Sequence, residues 1–245
     1  MNILLIANGK VNNKILNLNF VKEKKIDKII AVNGGTNKLI KLNILPDIII
    51  GDLDSKKIRK KQRIRKKQEK KIEEKLTNEI QWIETITFPK DKDYSDLELA
   101  INYINANLSQ NNFNQDRIIY CFGVIGNRLD HTLANINSLF NLYLKNNFNS
   151  RVIIYDLSSV LFLIKNEDML ELKTGVNIRA SVLSFSLPFS KVILDGFKYQ
   201  GEYEIPFMSS LGISNLTISN LVKITSISGK VVFILYSFDY VINDN

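Results

Sequence analysis

The chain is poor in several residue types, and each shortage excludes something. It has one cysteine in 245 residues, so Cys121 cannot form an internal disulfide. Four prolines and 11 glycines are too few for a collagen-like or low-complexity chain. No apolar run approaches the ~20 residues that cross a bilayer. The longest, Val160–Ile164 and Val231–Tyr236, are strand-sized. The opening residues lack a basic segment and turn polar at Asn8, so they do not read as a signal peptide. With 45% hydrophobic and 24% charged residues, the chain has enough apolar material for a buried core. A soluble, cytoplasmic, globular protein is expected.

The charge is uneven. Of 33 basic and 25 acidic residues, 12 and 3 fall within Lys56–Lys75, which leaves 21 and 22 elsewhere. The net charge of +8 therefore belongs to one segment. Such a run can hold a phosphate backbone. However, this one has no interleaved aromatic side chains for stacking bases, and it reads as a solvated helix face. A nucleic-acid partner is not expected.

Short apolar runs at Ile3–Ala7, Lys28–Val32, Ile48–Ile50, Ile80–Phe88 and Ile118–Phe122 read as buried parallel strands. Helical patterns lie between them, one opening at Gly34-Gly35, one N-capped by Ser95 and one over Leu129–Leu144. After Arg151 only short strands and turns remain, with runs at Val152–Tyr155, Val160–Ile164, Met169–Leu172, Asn177–Phe185, Lys191–Leu194, Leu221–Ile227 and Val231–Tyr236. The expected fold is α/β: an N-terminal Rossmann-like parallel-sheet domain over residues 1–147, then a small all-β sandwich domain over 148–245.

Ligands of an open parallel sheet sit at the carboxyl ends of its strands. Three polar clusters fall there: Asp47 to Ser55 with Asp52 and Asp54, Lys90 to Asp96, and Gly126 to His131. Crowded carboxylates need a cation, and hard oxygen ligands with nearby phosphates suit Mg²⁺. Lys92 and Arg128 could hold phosphate oxygens. Together the clusters suggest transfer of a phosphate-containing group from a nucleotide. Each also has a plainer reading. Asp-x-Asp can be a turn, the Lys/Asp run a solvated cap, Asp130 a helix N-terminal charge, and His131, the only histidine, a structural residue. Gly34-Gly35 matches neither a Walker loop nor a dinucleotide fingerprint.

The ordered set Asn33-Gly34-Gly35-Thr36-Asn37, Pro46-Asp47, Gly51-Asp52-Leu53-Asp54-Ser55, Lys92-Asp93-Tyr94-Ser95-Asp96 and Gly126-Asn127-Arg128-Leu129-Asp130-His131 with Asn135 resembles the thiamine pyrophosphokinase family. That family's pattern runs D-G-G-A-N, P-D, G-D-x-D-S, K-D-x-T-D and G-x-R-x-D-H-x-x-x-N in the same order. Gly196-Phe197-Lys198-Tyr199 and Gly212-Ile213-Ser214-Asn215 resemble two further elements, so the likeness spans nearly the whole chain. Asn33 stands where the family has Asp, and Ser95 where it has Thr.

The resemblance implies a cytoplasmic homodimer that converts thiamine and ATP to thiamine diphosphate and AMP. It implies that Asp52, Asp54 and Asp96 organise Mg²⁺, and that Asp93, Ser95 and Asp130 complete the polar site. Lys92, Arg128 and Asn135 would face the nucleotide phosphates. Ser214 and Asn215 would hold thiamine in a pocket shared between subunits. The thiamine hydroxyl would attack the β-phosphorus, with Asp96 or Asp130 taking its proton late. The alternatives are another Mg²⁺-dependent pyrophosphoryl or nucleotidyl transferase on the same scaffold, a nucleic-acid-binding module using Lys56–Lys75, and a non-catalytic ligand sensor.

Overall fold

A computed structural model of the chain describes residues 1–51, 83–89, 91–108, 117–145 and 150–243. Asp52, Asp54 and the basic segment Lys56–Lys75 lie outside the described residues. The chain forms two compact units, Met1–Ser150 and Arg151–Asn245.

The first unit is built on parallel strands β1 (Asn2–Ile6), β2 (Ile26–Val32), β3 (Ile48–Gly51), β4 (Glu84–Thr87) and β5 (Arg117–Phe122). They lie side by side in the order β5-β1-β2-β3-β4, with Leu5 level with Ile30 on one side and Cys121 on the other. Ile3, Leu4, Leu5 and Ile6 are fully buried. That is why β1 is a continuous apolar run and not an alternating one: both of its faces are covered. The outer strand β4, Glu-Thr-Ile-Thr, has one apolar residue and is only partly buried.

Helices α1 (Leu18–Glu23), α2 (Gly35–Lys41), α3 (Asp96–Tyr103) and α4 (Leu129–Lys145) connect and cover the strands. Helix α1 has no counterpart in the sequence reading. It buries only Phe20, and Asn17 caps it by accepting from the amides of Asn19 and Phe20 at 2.9 and 3.0 Å. So short a helix carries too little apolar periodicity to be seen. Helix α4 buries Ile136, Leu139, Phe140 and Leu142, which is the stripe its sequence promises.

The second unit holds two antiparallel sheets. The first runs β12 (Asn215–Leu216), β9 (Arg179–Ser184), β14 (Val231–Leu235), β7 (Val160–Ile164), β6 (Ser150–Tyr155). The second runs β11 (Gly201–Pro206), β10 (Phe189–Asp195), β13 (Leu221–Ser228), β8 (Asp168–Thr174), β15 (Tyr240–Ile242). They meet through aromatic side chains. Phe162 of β7 stands edge-on to Tyr240 of β15 with ring centres 5.1 Å apart, and Phe197 stands 5.8 Å from Phe233. Edge-to-face pairs at this spacing add ~1 kcal/mol each beyond their buried area. Strands β11, β12 and β15 are absent from the sequence reading, and all three are outermost in their sheets. An edge strand buries few side chains, so it needs little apolar sequence.

Two groups report on this packing. Cys121 is 0% exposed at the centre of the first unit, and burial pushes its thiol well above the usual range. A thiol-specific reagent at neutral pH should leave the native protein unlabelled and modify one thiol per chain once denaturant is added. Labelling of the native state at the rate of a free thiol would contradict the placement of β5. In the second unit, burial pushes the Tyr155 phenol up to about 12, against the opposing effect of its hydrogen bond with Tyr240. Its folded value lies above the unfolded one of ~10. The stabilisation is therefore complete below pH ~10 and lost as pH rises toward 12. Tyr155→Phe should remove this alkaline loss, read as a flatter unfolding free energy between pH 9 and 11.

Candidate active site

In the order β5-β1-β2-β3-β4 the chain steps outward from β1 through β4 and then returns to the other side of β1 as β5. The switch point lies between β1 and β5, where an open sheet leaves a crevice beyond its carboxyl ends. A cavity of about 640 Å³ opens there, lined by the loops after β1 and β5, the end of β2, helix α2 and the start of α3.

Three loops are drawn together so closely that side chains are excluded. The amide of Ala7 donates to Phe122 O at 2.8 Å and that of Gly9 to Gly123 O at 2.6 Å, zipping the β1 and β5 exits together. A Cβ on Gly35 would meet Ile6 O at 2.2 Å, so the residue opening α2 must be glycine for the helix to sit on the end of β1. Gly51, the last residue of β3, has φ +149, and a Cβ there would lie 1.8 Å from Asn33 Oδ1. Only glycine combines that backbone with that approach. Asn33 itself takes φ 48, a left-handed conformation that asparagine tolerates better than most residues.

This turn aims the Asn33 amide at the start of α3. Asn33 Nδ2 donates to Asp96 Oδ2, and Lys92 Nζ pairs with Asp96 Oδ1. Ser95 caps the same helix, its hydroxyl accepting from the Glu98 amide at 3.2 Å. The Ser-Asp-Leu-Glu spacing is that of a capping box. Asp96 is thus held at the first position of α3 with both carboxylate oxygens engaged.

Arg128, which lines the cavity, forms an exposed pair with Asp130, 69% and 64% exposed, with Arg128 Nε donating to Asp130 Oδ1 at 3.2 Å. The guanidinium is the chief cause that lowers Asp130 to about 2, and the pairing raises Arg128 in return. Asn135 Nδ2 donates to Val124 O at 2.9 Å, and Thr132 Oγ1 accepts from the Gly126 amide at 3.2 Å. These bonds pin the β5–α4 loop to α4. Lys38, on α2, reaches across the cavity wall to donate to Gly9 O. Burial lowers its pKa, and nearby Lys41 lowers it further.

The structure brings Lys92, Ser95, Asp96, Arg128 and Asn135 to one cavity wall. Asp93 is exposed in the loop before α3 and, like Asp130, does not line the cavity. Among the described residues no group of three or more His, Cys, Asp or Glu side chains forms a metal site. Ser214 and Asn215 belong to the second unit. Asn215 is buried, and its amide mimics a strand partner: Oδ1 accepts from Tyr199 N at 3.0 Å and Nδ2 donates to Tyr199 O at 2.8 Å. It therefore joins the two elements singled out there, Gly196–Tyr199 and Gly212–Asn215. The Ser214 amide donates to Ser181 Oγ at 3.1 Å. Sequence reasoning missed Asn8-Gly9, Lys38 and Gly123. The available signal was a glycine directly after the apolar runs of β1 and β5.

The Asn33–Asp96 contact generates a prediction. Asn33→Asp turns the amide donor into a second carboxylate facing the first. Without divalent cation the variant should lose about 1–3 kcal/mol of stability, and added Mg²⁺ should narrow the deficit. Thermal melts with and without the metal would show it, and melts identical to the parent's would contradict the contact.

Comparison with known proteins follows the same lines. The family model described as thiamin pyrophosphokinase, catalytic domain, matches residues 21–153. The thiamine pyrophosphokinase of Bacillus subtilis (strain 168) is 30% identical over 188 residues, 76% of each chain. Among solved structures, the Bacillus subtilis thiamine pyrophosphokinase superposes with a TM-score of 0.71 at 24% identity, covering 97% of this chain and 99% of that one. The thiamin pyrophosphokinase from Candida albicans gives 0.70 at 17% identity, covering 96% and 89%. Those two establish likeness of fold. The family model and the 30% identical relative establish more: this chain is a member of the thiamin pyrophosphokinase family of enzymes.

Proposed function

We propose that the chain transfers the diphosphoryl group of ATP to the hydroxyl of thiamine, giving thiamine diphosphate and AMP. The observation that carries this reading is a basic-walled cavity at the sheet's switch point, with Lys92, Asp96 and Arg128 on its rim, in a chain of this family.

The residues divide the work as follows. Lys92 and Arg128 exchange their present carboxylate partners for phosphate oxygens, Arg128 through a planar fork suited to two of them. Asn135 steadies the loop that carries Arg128. Asp96 lies beside the path of the incoming hydroxyl and accepts its proton late, since a primary alcohol needs positioning more than deep activation. Asp130 is the weaker candidate for that step, because it does not line the cavity. Asp93 and Ser95 act through the loop and the cap that present Asp96.

Mg²⁺ fits the chemistry of the donor set: Asp96 offers hard oxygens, and Asp52 and Asp54 follow Gly51 within three residues of sequence. When bound it would neutralise charge on the phosphate chain. We assign the first unit, taken as residues 1–147, to ATP and Mg²⁺, and the second, 148–245, to thiamine recognition and dimerisation. Support for the second role comes from Ser214 and the neighbouring exposed apolar side chains Phe207, Met208, Leu211 and Ile213, with buried Asn215 holding the element that carries Ser214 through its bonds to Tyr199. A cytoplasmic homodimer without nucleic-acid or membrane partners is the matching setting. Among the described residues no helix is long and apolar enough to cross a membrane.

The test is AMP release from ATP and Mg²⁺ with and without thiamine, alongside detection of thiamine diphosphate. The two products should appear together and only with thiamine. AMP or pyrophosphate formed without it would identify a different acceptor. Asp96→Ala should lower turnover by at least about 100-fold while leaving the circular dichroism spectrum unchanged. Near-normal turnover would remove Asp96 from the mechanism.

A further inference from the structure

We infer that Lys38, which lies outside every motif noted above, is a binding residue for the polyphosphate chain of the nucleotide, held in readiness by the carbonyl of Gly9. The inference rests on the pyrophosphokinase reading and adds to it one named contact.

The argument is one of charge compensation. Among the cations on the cavity wall, Lys92 is paired with Asp96 and Arg128 with Asp130. Lys10 stands exposed to water. Lys38 is different: it is half-buried, and among the described residues its ammonium meets a neutral carbonyl and no carboxylate. A partly desolvated cation without a counter-charge is costly to the free protein. The lowered pKa of Lys38, caused first by burial and then by Lys41, is the sign of that cost. A polyanion entering the cavity relieves it, so the interaction favours ligands in proportion to the negative charge they bring.

The geometry suits this role. An ammonium has three N–H donors, and the bond to Gly9 O uses one. Two remain for phosphate oxygens without breaking the tether. The tether is itself fixed, because the Gly9 amide is bonded to Gly123 O at 2.6 Å. Lys38 sits in the middle of α2 between the buried turn at Gly35 and the core residues Leu39 and Ile40, which limits its reach to this wall. A lysine three residues past Gly35 reads from sequence as a solvated helix face, and only the fold turns it inward.

The experiment compares the wild-type chain with Lys38→Met, which keeps the stem and removes the charge, and with Lys38→Arg. Binding of ATP, AMP and inorganic tripolyphosphate is measured by calorimetry in Mg²⁺, and KM values for ATP and thiamine by turnover. Lys38→Met should weaken ATP and tripolyphosphate by about 10- to 100-fold, leave AMP within about two-fold, and raise KM for ATP but not for thiamine. Lys38→Arg should recover most of the loss. Equal weakening of AMP and ATP would mean that Lys38 only clamps the Gly9 loop, and unchanged ATP binding would mean that it touches no phosphate; either overturns the inference. If Lys38→Met does not fold, acylation of wild-type lysines read by mass spectrometry decides instead. ATP should protect Lys38 where AMP does not, and equal labelling under both overturns it. A wild-type chain that binds tripolyphosphate through Lys38 but makes no thiamine diphosphate would leave this contact standing and remove the pyrophosphokinase reading.

Discussion

The carboxylate of Asp96 is the point on which the described site turns. It lies between a cation from its own loop, Lys92, and a neutral amide from the end of β2, Asn33. That double hold ties the exit of one strand to the entrance of helix α3, and the cavity is the space left on the β1–β5 side of the tie. Asn33 reaches Asp96 because its backbone is left-handed, and that turn in turn requires the close approach of Gly51. A single polar contact thus depends on backbone conformations in two other loops.

The neutral amide of Asn33 sets the charge balance around Asp96. An acid there would crowd Asp96 with a second negative charge, to be balanced by a cation. An amide instead donates a hydrogen bond to it. Before any ligand arrives Lys92 answers Asp96 and Arg128 answers Asp130, and the excess positive charge of the wall is left to Lys38 and Lys10. Such pairs give the empty cavity a stable arrangement and also leave it with partners to exchange. The exposed Arg128–Asp130 pair costs little to open.

How much of this was legible follows from burial. Strands β1, β2, β3 and β5 were readable because parallel strands covered on both faces must be apolar throughout. Helix α4 was readable from its stripe, and the cap at Ser95 from its place ahead of the helically spaced Leu97, Ala100, Ile101 and Ile104. Strands β11, β12 and β15 left no signature because edge position lets Gly201–Pro206 or Tyr240–Ile242 be largely polar or short. The clustering of Lys92, Ser95, Asp96 and Arg128 was expected from strand ends, and that of Asn135 from the family resemblance. What sequence could not express was pairing. Nothing in the residue order says that Asn215 spends its amide on Tyr199, that Asp130 is bound to Arg128, or that Lys38 turns toward Gly9. The first and last arise from the approach of segments distant in the chain, the second from a local turn whose geometry no residue pattern states, and Asp52 and Asp54 remain known by motif alone.

The zipped exits of β1 and β5 also bear on how the protein ages. Asn8-Gly9 is the dipeptide in which a backbone nitrogen most easily attacks the preceding side-chain amide, releasing ammonia and leaving an acidic residue. The attacking atom would be Gly9 N, and that amide is committed to Gly123 O at 2.6 Å. The ring-closing approach is therefore closed to the folded chain. Loss of this amide is a clock that runs only while the β1 and β5 loops are apart, so acid found at position 8 of a stored sample, counted apart from any at the second Asn-Gly pair, Asn33-Gly34, would record the time its molecules had spent open.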